Sequence, residues 1–308
     1  MISVIIPTLN AENYIENLIE KLKHQKIDQE VEIIVIDSES SDKTVQIAKA
    51  VGATVFEIEK SQFDHGGTRN LAWDKSNGEL ICFITQDAVP ADEDCLSNLV
   101  KGFADEEVVM ISGRQLPKSD ANQVERLTRS FNYPPVSNVR TKADISTMGI
   151  KAYFFSDVFA VYRRSFLETM GGFDSPILTN EDMLMAARAL QAGYKVRYDA
   201  DAAVYHSHNF TLNYQYRRNF DVAVFMEMYK DLVEGEGTTG EGIRMVLYTE
   251  KQLLLHFHLI SAFRCVFESA AKFFGNRAGK KYKSMTREQI LKKTTNPVFW
   301  KNNDISLY

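Results

Sequence analysis

Four carboxylates and two histidines in this 308-residue chain sit where side chains of their type can do chemistry. Asp87 lies in TQDAVP, just past the apolar run LICFIT at 80–85. A carboxylate there can hold Mg2+ or Mn2+ against a diphosphate, because such hard ions take one or two carboxylates plus phosphate oxygens. It can equally start the next turn or cap a helix near Asp92. Asp37, in VIDSESSDKT, can accept from the ring N–H of a pyrimidine, with Ser38 or Ser40 bonding nearby. As a cap it would be redundant, since Ser41 or Asp42 already serves the next helix. The run FDHGGTRN at 63–70 puts two glycines before a helix that carries Arg69 in its first turn. Close backbone approach, a helix N-terminus and an arginine suit phosphate or carboxylate; the plainer reading is a glycine turn with a solvated arginine. Glu181 and Asp182 stand where a loop meets a helix. A general base must reach the acceptor hydroxyl, yet Thr179-x-x-Asp182 also fits a capping box. His206 and His208 follow a short strand, and either can complete a metal site or be satisfied by packing.

Strand and helix signals alternate through the first third of the chain. Runs 3–7, 32–36, 54–58 and 80–85 are short, apolar and rich in β-branched residues. Segments 14–23, 41–51 and 68–77 have helical period, with Gly52 and Gly78 placed as stops. Such alternation predicts a parallel sheet covered on both faces, with ligands beyond the carboxyl ends of the strands. Pro7, Asp37 and Thr85 to Asp87 fall at those ends. Further on, 121–131 reads as helix and 132–148 as a mobile loop. Residues 155–162 read as strand, 163–170 as helix ending at Gly171-Gly172, 182–191 as helix, and 195–199 and 203–206 as two short strands. Beyond Phe210 the pattern is helical. The expected division is therefore 1–210 for an α/β domain and 211–308 for a helical extension.

Composition narrows the class. With 44% hydrophobic and 25% charged residues the chain is of ordinary globular type, and a net charge of −5 gives no support to a nucleic-acid partner. Three scattered cysteines, Cys82, Cys95 and Cys265, without a CxxC, suggest reduced thiols and a cytoplasmic protein. The N-terminus reads as a strand, not as a signal peptide, and the apolar stretch 253–267 is too short and too polar to span a bilayer. Neither GxGxxG nor GxxxxGK[ST] occurs. Residues 264–301 hold ten Lys/Arg against two Asp/Glu, a net of +8, which leaves −13 on the remainder. Within that basic tail, apolar residues from Leu253 to Phe274 recur near helical spacing. This fits an amphipathic surface on anionic membrane at the inner face of the cell membrane, a helix packed on the α/β domain, or a homo-oligomer interface.

Taken in order, PTLN (7–10), VIDSESSDKT (35–44), FDHGGTRN (63–70), TQDAVP (85–90), GGFD (171–174), NEDM (180–183) and YHSH (205–208) resemble the inverting family 2 glycosyltransferases of GT-A fold. FDHGGTRN and TQDA resemble the bacterial rhamnosyltransferase branch in particular. The resemblance implies that Pro7, Thr8, Asn10, Asp37, Ser38, Asp64, Arg69, Gln86 and Asp87 serve the nucleotide sugar. It implies Asp182 as catalytic base, Asp87 with His206 or His208 at Mg2+ or Mn2+, and Gly172 and Glu181 on the acceptor side. Thr85 stands where the family's Asp-x-Asp has its first acid, leaving Asp87 without that partner. The implied donor is dTDP-β-L-rhamnose and the implied acceptor a lipid-linked saccharide of a cell-surface polysaccharide. Rival readings are a family 2 enzyme using a UDP-hexose, a sugar nucleotidyltransferase, and a non-catalytic scaffold.

Overall fold

The computed structural model describes residues 1–233 and 238–303. Strands β1 (Ile2–Thr8), β2 (Val31–Asp37), β3 (Thr54–Glu57) and β4 (Leu80–Ile84) pair in parallel in the order β3-β2-β1-β4. Along β1 the side chains alternate between two cores: Ile2, Val4 and Ile6 face one, and Ile5 faces the other. The first core is closed by α1 (Ile15–Lys23), α2 (Thr44–Ala50) and, beyond the two-residue strand β5 (Val89–Pro90), by α4 (Cys95–Lys101). Ile15, Leu18, Ile19 and Leu22 of α1 are buried, the spacing that puts apolar residues on one helical face. The second core lies under α3 (His65–Asp74), which precedes β4.

Beyond β4 the sheet becomes mixed. Strand β6 (Val108–Leu116), helix α5 (Gln123–Asn132), strand β7 (Asn138–Arg140) and helix α6 (Ile145–Met148) lead to β8 (Phe159–Arg163), which is antiparallel to both β4 and β6. Helices α7 (Arg164–Met170) and α8 (Glu181–Gln191) then lead to β9 (Lys195–Tyr205), parallel to β6 and antiparallel to β5 and β7. The two short strands expected at 195–206 are one strand, with a register shift against β6 between Gly113 and Arg114. The segment expected as a loop at 132–148 carries β7 and α6, because buried Arg140 donates to the carbonyls of Lys151, Ala152 and Phe154. A buried guanidinium tying three carbonyls leaves no trace in hydrophobic periodicity.

The tail is helical as expected: α9 (Leu212–Met228), α10 (Thr238–Leu255), α11 (Leu259–Gly279), α12 (Arg287–Leu291) and α13 (Pro297–Asn302). Gly275 and Gly279 of α11 lie against the carbonyls of Tyr216 and Phe220 in α9, so close that a Cβ would clash. Phe299 and Trp300 of α13 return to a cluster with Phe220, Val224 and Leu178, and Asn296 Nδ2 donates to Leu178 O at 3.1 Å.

Two of the sequence motifs meet at α3. A Cβ on Gly66 would fall well inside contact distance of the Asp174 carbonyl oxygen, and the Asn70 amide exchanges two 2.8 Å hydrogen bonds with the backbone of Phe173. Gly66→Ala is therefore expected to lose about 1–3 kcal/mol by overpacking against backbone that cannot yield. Gly240→Ala, where a Cβ meets nothing, is expected to gain about 0.5–1 kcal/mol. Urea unfolding of both variants checks the pair; an unchanged midpoint for Gly66→Ala would refute the close-contact role.

Candidate active site

The β5–β9 pairing brings Asp87 to the histidines. Val89 is opposite Tyr205, so the antiparallel continuation sets the residues before Val89 against those after Tyr205. Asp87 Oδ1 lies 3.5 Å from His206 Nε2, Asp87 Oδ2 lies 3.3 Å from His208 Nε2, and the two Nε2 atoms are 3.0 Å apart. One carboxylate oxygen and two imidazole nitrogens thus converge within 4.8 Å of one another. Outside this set, Gln115 Oε1 lies 3.0 Å from His206 Nδ1. A proton on Nδ1 donated to that oxygen leaves the Nε2 lone pair facing Asp87, as a metal ligand requires. Burial lowers the proton affinity of both histidines, that of His208 to about 4, so both are neutral near pH 7. Burial opposes the Asp87 charge, but His206 and His208, which become cations as the pH falls, and Lys118 hold it below the usual carboxylate range. This donor set fits a divalent ion bound through oxygen and imidazole. Lys118, which the sequence reading did not single out, stands with Nζ 3.6 Å from Asp87 Oδ2, its backbone N–H donating to Ser207 Oγ at 3.0 Å.

Asp182 belongs to a second cluster. Its Oδ2 accepts from Asp157 N at 3.0 Å and its Oδ1 from Met183 N at 2.7 Å. The capping box expected from Thr179 does not form: Asn180, in the left-handed region at φ 59°, precedes the helix without a side-chain cap, and Thr179 Oγ1 bonds to Asn180 Oδ1 at 3.1 Å. Beside Asp182, buried Arg69 pairs with Asp157 at 2.8 Å and Glu181 at 2.9 Å. The Asp157 contact is a charge contact without hydrogen-bond alignment. Asp157 also accepts from Tyr162 OH at 2.5 Å. Burial opposes the Arg69 charge, and Glu181, Asp157 and Asp182 overcome it. The cluster holds three carboxylates against one guanidinium, and the imbalance falls on Asp182. Its proton affinity is raised well above the ordinary range by burial, then by the charges of Glu181 and Asp157. Burial similarly lifts Asp157 to about 6 against the pull of Arg69, while Arg69 holds Glu181 below its usual value against its burial.

Several expected binding residues are engaged within the protein. Arg69 is paired with Glu181 and Asp157 in the acidic cluster. Asp64 caps α3, accepting from Gly67 N at 2.7 Å with one oxygen and from Ile177 N at 2.8 Å with the other. Gln86 pairs its amide with the backbone of Leu9 at 2.8 and 3.2 Å. Asp37 is fully buried and accepts from Thr8 Oγ1, Ser40 N and Ser40 Oγ, which ties the ends of β1 and β2 together. Glu181 is buried under Arg69, and Gly172, at φ 78°, packs on Asn70 Oδ1. These internal contacts close the loops that carry the motifs, and no periodicity in the sequence announces them. Pro7 and Asn10 keep exposed surface at the end of β1. Flanking them, Ser38 Oγ and Thr85 Oγ1 are buried and pair with no group of the protein among the described residues. Orphan hydroxyls carry a desolvation cost that a polar ligand can relieve.

Residues 3–171 match the family described as glycosyl transferase family 2. The chain is similar to the O-antigen chain rhamnosyltransferase RfbN of Salmonella typhimurium, 43% identical over 288 residues that cover 92% of this chain and 91% of that protein. It is also similar to the O-antigen chain rhamnosyltransferase WbaN of Salmonella anatum, 38% identical over 286 residues, 92% and 90% of the two chains. Among solved structures, the mannosyltransferase PcManGT from Pyrobaculum calidifontis in complex with GDP-Man and Mn2+ has a TM-score of 0.63 at 18% identity, covering 91% of this chain and 86% of that one. S. aureus TarS 1–349 in complex with UDP-GlcNAc has a TM-score of 0.54 at 18% identity, covering 92% and 91%. At those identities the likeness is one of fold. The chain belongs to glycosyl transferase family 2.

Proposed function

We propose that this glycosyltransferase moves L-rhamnose from dTDP-β-L-rhamnose to a hydroxyl of a lipid-linked saccharide, in the synthesis of a bacterial cell-surface polysaccharide. The observation that carries the reading is the pair of clusters at the strand ends, joined through Gln115, which bonds both His206 and Ser156. One is the Asp87, His206 and His208 donor set, and the other holds an acid, Asp182, whose affinity for a proton is raised. Similarity over nearly the whole chain to two O-antigen chain rhamnosyltransferases supports rhamnose as the sugar.

In this reading the acceptor oxygen attacks the anomeric carbon, its proton passes to Asp182, and the bond from that carbon to the diphosphate oxygen breaks. One displacement inverts the β-linked donor to an α-L-rhamnosyl product. Asp87, His206 and His208 would hold Mg2+ or Mn2+, which supplies positive charge to the departing diphosphate when bound. Lys118 adds a fixed cation beside Asp87, where the family's usual first acid is Thr85. Glu181, Asp157 and Arg69 orient Asp182 and set its proton affinity.

Asp182→Asn should lower kcat by about 10²–10⁴-fold, the usual span for a general base, while the nucleotide still stabilises the protein on melting. Full activity in that variant would remove Asp182 from the role. Melting with dTDP-rhamnose or UDP-glucose, each with and without Mn2+, tests donor and metal together. Selective stabilisation by dTDP-rhamnose with Mn2+ is expected, and Asp87→Ala should lose the metal's share; preference for UDP-glucose would overturn the donor. The pH profile follows from the acidic cluster. Asp182 is a base only when unprotonated, so kcat/KM should rise as pH climbs through its elevated titration. Asp157→Asn removes a neighbouring negative charge, eases ionisation of Asp182 and should move that acid limb to lower pH. An unmoved limb would show that another group sets it.

A further inference from the structure

The α10–α11 hairpin exposes apolar side chains on a scale that nothing in the active site uses. Leu255, Phe257, Ile260, Phe263, Phe267 and Phe274 are all exposed, Phe257 by 86% and Ile260 by 90%. At 100° per residue, Ile260, Phe263, Phe267 and Phe274 fall on one stripe of α11, and Lys281 continues its line past the helix end. The opposite face, with Gly275 and Gly279, is already packed on α9. The apolar stripe and the turn at its tip therefore stand open to solvent, Phe257 and Ile260 almost completely.

The turn contains a second sign. His258 N bonds Leu253 O at 2.8 Å and Phe257 N bonds Leu254 O at 3.2 Å, a helix-ending motif whose left-handed residue is usually glycine. Here that residue is Phe257, at φ 58°. A phenylalanine is strained in this conformation, and its ring gains no burial within the protein to offset the strain. Charge gives the third sign. From 251 to 287 the chain has eight Lys/Arg and one acid, Glu268, which is buried and ion-paired with Arg264 at 2.6 Å. Arg277, Lys280 and Lys281 are exposed at the far end of α11 and have no ion-pair partner among the described residues. No described helix is long and apolar enough to cross a membrane.

We infer that the α10–α11 hairpin docks on an anionic lipid bilayer, with Phe257 and Ile260 at its tip entering the acyl boundary and Arg277, Lys280 and Lys281 meeting headgroup phosphates. Apolar insertion combined with basic attraction is the physics of interfacial helices. The inference deepens the proposed reading of a lipid-linked acceptor: α5 joins the hairpin to the site, since Phe131 contacts Tyr248 of α10 and Arg129 donates to Gln115, the partner of His206.

Vesicle flotation of the full chain tests this without catalysis, so it can fail while the transfer reading stands. Vesicles of phosphatidylcholine with phosphatidylglycerol should bind the protein, pure phosphatidylcholine should bind it at least about tenfold more weakly, and high salt should narrow the difference. Phe257→Gly should lower vesicle affinity about tenfold, the order for returning one phenyl ring to water, while the melting temperature stays level or rises as the left-handed strain is relieved. Ile260→Asp should abolish flotation with an unchanged melting temperature. Absence of wild-type flotation on anionic vesicles would overturn the inference. So would a dimer in analytical ultracentrifugation that Ile260→Asp converts to monomer, since the stripe would then belong to a second copy of the chain.

Discussion

The loop that carries Asp182 depends on one buried charge, the guanidinium of Arg69. Removing a cation from water is costly unless it is paired and its partners are held in place. Here Glu181 and Asp157 are the partners, one at the start of α8 and the other just before β8. Arg69 therefore pulls three chain segments, α3, the entry to β8 and the entry to α8, onto one point. Its neighbours make that approach achievable. Gly66 admits the Asp174 carbonyl, Asn70 pairs with Phe173, and Asp64 binds Ile177 N, so the segment leading to Asp182 is fastened to α3 at three points besides the ion pairs.

The same economy of charge makes Asp182 different from its neighbours. One guanidinium cannot neutralise three carboxylates in a region shielded from water, and the carboxylate without a contact to Arg69 takes up the excess as a raised proton affinity. The tail supports this arrangement from behind. Leu178, four residues before Asp182, is buried among Phe220, Val224 and Trp300, and its carbonyl is held by Asn296. The helical extension is thus part of what fixes the loop.

The Asp87, His206 and His208 set has another origin. Asp87 leaves β4 in a turn that β5 returns across the end of β9, and His206 and His208 are the residues that β9 delivers there. Gln115 of β6, placed by the parallel β6–β9 pairing, orients His206 and donates from Nε2 to Ser156 Oγ at 2.9 Å, next to Asp157. Strand pairing thus carries the connection between the donor set and the acidic cluster.

Much of the scaffold was legible in the sequence. Runs of β-branched residues between helical segments predicted the parallel half of the sheet, because both burial on two faces and the helical stripe leave periodic marks. Candidate acids and histidines were visible by their place at strand and helix ends. What those side chains do was not legible. Asp37, Asp64, Gln86 and Arg69 stand out as ligand candidates in the linear sequence, and only the fold shows their bonds to Ser40, Ile177, Leu9 and Glu181. Asp157, Gln115 and Lys118 drew no notice, since an isolated polar residue has no period and gains its meaning from partners far away in the chain. The sequence by itself determined which elements form and which acids, amides and histidines are available, because local propensity and periodicity act over a few residues. Only the tertiary structure decided which carboxylate is left without a cation and which imidazoles share a point with Asp87, because desolvation and Coulomb energy depend on distances that the chain order does not contain.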